Sequence, residues 1–404
     1  MAHTIPRRHP DAPVPIPAGV SAIGTALGVR GPDPARFQQL GELLMAGDPL
    51  MDEFADWMST QDSALVRPLF EQALARGIDS VENAPAPLRA LFDELESVPE
   101  WVDADQLETA AAAMRSGGAD GLYIARDVAL LGGYQFAGFN QTLLRTGALE
   151  KGSNTRFAET SQWAMDVIAA GGLAPLGPGY RSTVRVRFIH SMVRRHVGAM
   201  PDWDADQWGL PINQTDMAAT IVGSLIAPSL GGLGMGIVNR PAEYRAIAHL
   251  TRYVGWLMGI RDDLLPNDFR DAIRLLMHTS AALATPDETS KRLAKPMADD
   301  PMHWQYRHLS PLRRRWARRQ HLSISAAFLG PKAMATLGLP TRTLPWYPLL
   351  ALPRNLVRSG VGFLPGGRDW MAARGDRQAH AFLRTMTAAP ATIGATTTVA
   401  EHVA

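Results

Sequence analysis

Residues 185–197 read RVRFIHSMVRRHV and set one histidine in an arginine-rich, helix-periodic stretch. Val186, Ile189, Val193 and Val197 recur at i, i+3, i+7 and i+11, the spacing of one apolar helical stripe. His190 adjoins Ile189 and stands three before Val193, so it points into that stripe. His196 lies about 240° further round and points elsewhere. Arg187 and Arg194 flank His190 by one turn on either side. Two roles suit such a ring: a core histidine donating to a carbonyl, or an axial ligand of heme iron, with the neighbouring arginines reaching the anionic propionates. No CxxCH occurs, so any heme is non-covalent heme b.

A second group stands in TRFAETSQWAMDVIAAGG, residues 155–172. Arg156, Glu159, Thr160, Trp163 and Val167 fall at i, i+3, i+4, i+7 and i+11 and share one helical face. Either Arg156 and Glu159 pair along a solvated edge while Thr160 packs by its methyl, or the three polar side chains line a cavity. Other motifs carry less. Asn213, Gln214, Thr215 and Asp216 suit a helix cap. The adjacent carboxylates of RDDLLP (261–266) diverge on a helix, which disfavours a metal dyad. GGLGMG (231–236) follows no strand, so it is a poor dinucleotide loop. No GxSxG or HExxH is present.

The elements that must position these residues are helices. Apolar residues at i, i+3 and i+4 predict helices over 36–58 and 85–98, and further helices over 103–117, 126–150 (interrupted at Gly132-Gly133), 155–172, 177–198, 241–266 and 268–283. No stretch alternates strictly, so the expected class is all-α. The 404 residues are 46% hydrophobic, enough for a large core without disulfides. The net charge of +1 gives no general case for nucleic-acid binding. There is no cysteine, which excludes thiolate catalysis, cysteine-ligated zinc and iron–sulfur clusters.

The N-terminal MAHTIPRRHPDAPVPIPAGVS carries Arg7-Arg8 but no apolar run after it, so it is expected to be a disordered lead-in rather than a signal. A cytoplasmic protein is the expectation. The run 217–239 is long enough to span a bilayer, yet Pro228 and its glycines favour a buried helix followed by a turn. LPWYPLLALPRNLVR (344–358) mixes aromatic and leucine side chains with Arg354 and Arg358. It suits either peripheral membrane contact or packing in the core. The expected organisation is a single domain over 1–404: lead-in 1–35, core 36–285, a C-terminal helical layer over 286–385, and a disordered tail over 386–404. Oligomeric state is not legible.

TRFAETSQWAMDVIAAGGLAPLGPGYRSTVRVRFIHSMVRR (155–195), WGLPINQTDMAATIVGSL (208–225), YRAIAHLTRYVGWLMGIRDDLLP (244–266) and PEWVDADQL (99–107) together resemble the latex clearing protein family of rubber oxygenases. That family shares its catalytic domain with the endoplasmic-reticulum-bound oxygenase of mycophenolic acid biosynthesis. The resemblance covers about 95–285 and, more loosely, 36–94. It implies an all-α, globin-like helical core around heme b with additional flanking helices. His190 falls at the family's axial histidine, and Arg156 and Thr160 match an arginine and a threonine upstream of it. On this reading His190 binds the metal, Arg187 and Arg194 help hold the cofactor, and Arg156, Glu159 and Thr160 are catalytic.

The resemblance further implies O2 as co-substrate and cleavage or oxygenation of a C=C bond in an isoprenoid or other apolar, lipid-like substrate. The chain departs from the family at two positions. Rubber-cleaving members have lysine where this chain has Glu159. They also carry a glutamate, proposed as base, where this chain has Asn140 or Gln141. A peroxide-using heme enzyme and a non-catalytic heme carrier or sensor stay open as alternatives.

Overall fold

Aspartate followed by a small residue or proline starts one helix after another. Asp48 precedes Pro49–Ser59 (α1) and Asp103 precedes Ala104–Arg115 (α2), and each side chain accepts from a backbone N–H of its helix's first turn. Ser153–Val167 (α3) and Pro178–Gly198 (α4) form the next pair used below. Pro241–Leu257 (α5) and Phe269–Leu283 (α6) follow. The C-terminal layer holds Ser310–Thr336 (α7), Trp346–Gly362 (α8) and Gly367–Met386 (α9), with a break in α7 at Gly330 (φ +76°) before Pro331. The computed structural model describes residues 4–387, and among them no β-strand occurs.

Two apolar clusters meet across α3. One gathers Phe54 and Phe70 with Val184, Ile221, Leu250, Val254 and Ile273. The other gathers Leu131 and Phe157 with Leu293, Trp304, Leu322 and Phe382 from the C-terminal layer. Trp163 and Val167 of α3 face the first cluster, and Phe157 and Ala158 the second. Phe70 stacks near Phe54 and Phe188 with ring centroids 5.6 and 5.0 Å away, each such pair adding roughly 0.5–1.5 kcal/mol beyond its buried area.

Several expectations change. The helix expected over 36–58 is divided, because Asp48 caps and Pro49 restarts it after Pro34–Glu42. The helix expected over 241–266 stops at Leu257, where Gly259 turns with φ +76°. The supposedly disordered lead-in is laid on the core over its described part. Arg7 and Arg8 donate backbone N–H groups to Asp206 and Gln207 carbonyls at 2.9 and 3.0 Å. The buried Arg8 guanidinium pairs with Asp216 at 2.6 Å. A buried guanidinium needs a counter-charge, and Asp216 supplies it from a distant helix. The expected disordered tail lies almost wholly outside the described residues. The run 217–239 does form an apolar helix over 214–234, with Met217, Ile221, Val222, Leu225 and Ile226 in the core.

Candidate functional site

Helix α4 is held on one side by acids from α1. Arg187 Nε and Nη2 donate to Asp48 Oδ2 and Oδ1 at 2.6 and 2.8 Å, with both side chains almost fully buried. Ser191 Oγ donates to Asp52 Oδ1 at 2.5 Å, and Arg194 also pairs with Asp52. Arg194 Nη2 donates to the Ile212 carbonyl at 2.9 Å. Further out, Arg195 meets Asp56 at 2.9 Å. Asp48, Asp52 and Asp56 recur every four residues, so α1 offers an acidic stripe to α4.

Gly47 and Gly259 close over these pairs. A Cβ on Gly259 would stand 2.3 Å from Asp48 Oδ2, and one on Gly47 would stand 2.6 Å from Asp52 Oδ2. Both flanking arginines, expected to reach a cofactor, therefore have their guanidinium groups committed to protein partners.

His190 differs from its neighbours. Neither ring nitrogen has a hydrogen-bond partner among the described residues, and Nδ1 is sealed from solvent. The residue as a whole is only half-buried, as are Val186 and Ile189 beside it. The imidazole is thus unpartnered but not fully packed against. Burial first, and then the positive charge of Arg194, pushes its pKa down to about 4, against the pull of Asp48. The ring is neutral near pH 7, the form that ligates a metal.

His278, His249 and His321 have partners. His278 has a partner at each nitrogen, the Asp33 N–H at 2.8 Å and the Arg274 carbonyl at 2.7 Å. His249 Nε2 accepts from the Asp103 N–H at 3.0 Å, and His321 Nδ1 lies 2.5 Å from Asp127. His9 also lacks partners, but it is pressed on the Phe37 ring with centroids 4.3 Å apart.

Helix α3 runs back along α4. Trp163 Nε1 donates to Thr183 Oγ1 at 3.0 Å and sets the register of the pair. Arg156 lies seven residues before Trp163 and His190 seven after Thr183, each a displacement of about 10 Å along its helix. Arg156 has no ion pair or side-chain hydrogen bond among the described residues. Thr160 is exposed, and its hydroxyl donates to the Arg156 carbonyl at 3.0 Å. Glu159 is half-buried; burial raises its pKa, opposed by Lys151 and then Arg156. No Arg156–Glu159 ion pair forms among the described residues.

Asn140 is held by its own neighbours. It is fully buried, and its Nδ2 donates to the Tyr134 carbonyl at 2.7 Å and to Thr289 Oγ1 at 3.1 Å. Gln141 accepts from Arg145 at 2.8 Å. The cap reading of 213–216 describes Asn213, which accepts from the Asp216 N–H at 2.9 Å. Gln214 does more: its Nε2 donates to the Gly47 and Gly259 carbonyls at 2.8 and 2.9 Å, beside the two buried ion pairs. Arg261 pairs with Asp263 at 3.0 Å, and no cluster of three or more metal-ligating side chains occurs among the described residues. Sequence patterns single out neither Asp48 nor Asp52, and give Gln214 only as part of a cap. The every-fourth-residue aspartates of α1, opposite an arginine-rich helix, were the available signal.

The fold defines an all-helical protein of the latex clearing protein type. The solved structure of latex clearing protein LCP in the closed state is similar with a TM-score of 0.66 at 16% identity, covering 84% of this chain and 91% of that one. The family model described as ER-bound oxygenase mpaB/B'/Rubber oxygenase, catalytic domain, matches residues 123–358, and the chain belongs to this oxygenase family. The rubber oxygenase of Streptomyces sp. (strain K30) is 22% identical over 202 residues, 48% of this chain. The matched segment spans about half of that relative, 47% of its length.

Proposed function

We propose that this chain is a heme b-dependent oxygenase acting on a C=C bond of an isoprenoid or other lipid-like substrate. The observation that carries the reading is His190: a neutral, half-buried imidazole with no protein partner for either nitrogen among the described residues, on a helix held by one buried and one partly buried ion pair. Such a ring fits the heme-ligand role that family membership implies. His190 would hold the group, and heme iron would supply the electron chemistry that activates O2.

The remaining work belongs to the chain. The ion pairs to Asp48 and Asp52 fix α4 and so fix the direction of the His190 ring. Val186 and Ile189, half-buried beside it, put apolar surface next to the ring, which suits an apolar substrate. Arg156, without a carboxylate partner among the described residues, offers a fixed positive charge and N–H donors. Thr160 offers its hydroxyl oxygen as an acceptor, since its proton is engaged by the Arg156 carbonyl. Glu159, with its pKa raised, can take up and release a proton at its carboxyl. Asn140 cannot act as a base near neutral pH, which leaves Glu159 as the available carboxylate in this group.

The test is the absorption spectrum of the purified chain and of His190→Ala. A Soret band in the parent, lost in a variant that keeps its helical circular dichroism, is the expected result. A variant that retains heme and spectrum would overturn the assignment. Product analysis on oligoisoprenoids and unsaturated lipids under O2 and under H2O2 then separates oxygenase from peroxide chemistry. Tight heme binding with no turnover on any of them would mark a carrier or sensor.

A further inference from the structure

Helix α8 is turned inside out for a helix in contact with water. Its inward face is small and polar. Asn355 Nδ2 donates to Asp120 Oδ2 and to the Met235 carbonyl at 3.0 Å each. Ser359 Oγ donates to the Gly236 carbonyl at 3.0 Å and accepts from the Val238 N–H at 2.9 Å. Its outward face is apolar. At 100° per residue, Leu349, Leu350, Pro353, Leu356 and Val357 cover an arc of roughly 120° that holds no charged side chain. Leu349, Leu350 and Val357 are 68%, 66% and 71% exposed. Leu344 before the helix and Phe363 and Leu364 after it extend the surface. A surface helix ordinarily points such residues inward.

The charged residues of the segment itself have one sign. Residues 337–368 contain no Asp or Glu, but include Arg342, Arg354, Arg358 and Arg368. Arg354 and Arg368 have carboxylate partners, Asp120 and Glu243. Arg342 and Arg358 have none among the described residues. Partial burial, and then the charges of Arg354 and Arg374, hold the Arg358 pKa below its usual value against the pull of Asp120. Trp316 of α7, also exposed, lies 4.9 Å from Trp346 between ring centroids and borders the same surface. An apolar helical face with a flank of unneutralised arginines and bordering tryptophans is the pattern of a helix lying in a lipid–water interface.

We propose that α8 is an in-plane membrane-docking element for a bilayer surface rich in anionic lipid. Its leucines and valine enter the acyl boundary, and Arg342 and Arg358 meet headgroup phosphates. The Asn355 and Ser359 bonds tie α8 to the protein, so it lies on the surface instead of crossing it. A second copy of the chain is the poorer occupant. This segment has no acid to offer a partner's arginines, whereas an anionic lipid supplies the missing charge. The proposal is independent of the cofactor, and its test uses neither substrate nor turnover, so it fails separately from the oxygenase reading.

The experiment is sedimentation of the full chain with phosphatidylcholine vesicles, with and without phosphatidylglycerol. Binding to the anionic vesicles that weakens with salt is expected. Leu349→Glu and Val357→Glu should each weaken partitioning by about tenfold or more, because a carboxylate replaces an inserted side chain. Arg358→Gln should weaken it by roughly fivefold at low salt. Both carboxylate substitutions are at exposed positions, and circular dichroism checks that the variants stay folded. In the unaltered chain, lipids brominated in their acyl chains should quench tryptophan fluorescence, which needs no variant. No wild-type binding at low salt, or binding indifferent to all three substitutions, would overturn the proposal. So would a concentration-dependent oligomer that Val357→Glu dissociates, since a second copy would then cover the face.

Discussion

Removing Asp48 tests whether Arg187 is a structural or a cofactor-binding residue. The Arg187–Asp48 pair makes two hydrogen bonds at 2.6 and 2.8 Å, with side chains only 3% and 4% exposed. Asp48→Ala leaves a guanidinium sealed from water without its counter-charge, a loss of about 3–5 kcal/mol. Asp48 also accepts from Met51 N–H as the cap of α1, but at 3.4 Å that bond is long and adds well under about 1 kcal/mol. Against a total stability of roughly 5–15 kcal/mol, the unfolding equilibrium shifts by two orders of magnitude or more. Arg187→Met should cost a similar amount by stranding Asp48.

The double variant Asp48→Ala/Arg187→Met removes both charges and should be no less stable than either single variant, with a coupling of about 2 kcal/mol or more. Urea denaturation of the four proteins measures this cycle. Heme reconstitution, followed by the Soret band, measures the other half. If Arg187 only anchors α4, the double variant regains heme uptake as it regains stability. A double variant restored in stability but still unable to take up heme would refute the reasoning and return Arg187 to the cofactor. Additive single effects would refute the pair as an energetic unit.

Further outcomes follow from the same geometry. Burial raises the Glu159 pKa above its usual 4.5, so the folded chain holds that proton more readily than the unfolded one. Stability attributable to this group is then lost as pH rises from about 4.5 through the raised value. Glu159→Gln should match the parent in urea midpoint below that window and exceed it slightly above, while keeping its heme and slowing turnover. A midpoint below the parent's at high pH would contradict the sign. Gly259→Ala forces a Cβ within 2.3 Å of Asp48 Oδ2 and 2.6 Å of Arg187 Nε on a backbone with φ +76°. It should destabilise by roughly 1–3 kcal/mol, and by less when Asp48 is already alanine, as thermal unfolding of the pair would show.

Features settled by near neighbours in the chain were legible before any coordinates. Asp103 and Asn213 cap helices through bonds spanning two or three residues, and a cap followed by periodic apolar residues is a local pattern; Asp48 caps in the same way, but the periodicity over 36–58 reads as one helix running through it. The all-α class, the helix of His190 and the face shared by Arg156, Glu159 and Thr160 are patterns of the same kind. Helical periodicity states which residues share a face but not what that face meets. Arg187 and Asp48 are 139 positions apart, and Arg8 and Asp216 are 208 apart. Nothing local distinguishes an arginine that will be sealed against an aspartate from one left free. Burial in the packed fold makes an unpaired charge costly and so selects those partners. The same packing orders the proline-rich lead-in around Arg8, leaves Glu159 unpaired with Arg156 among the described residues, and turns the leucines of α8 outward. Each depends on which surfaces meet once the helices associate, and that is a property of the assembled core.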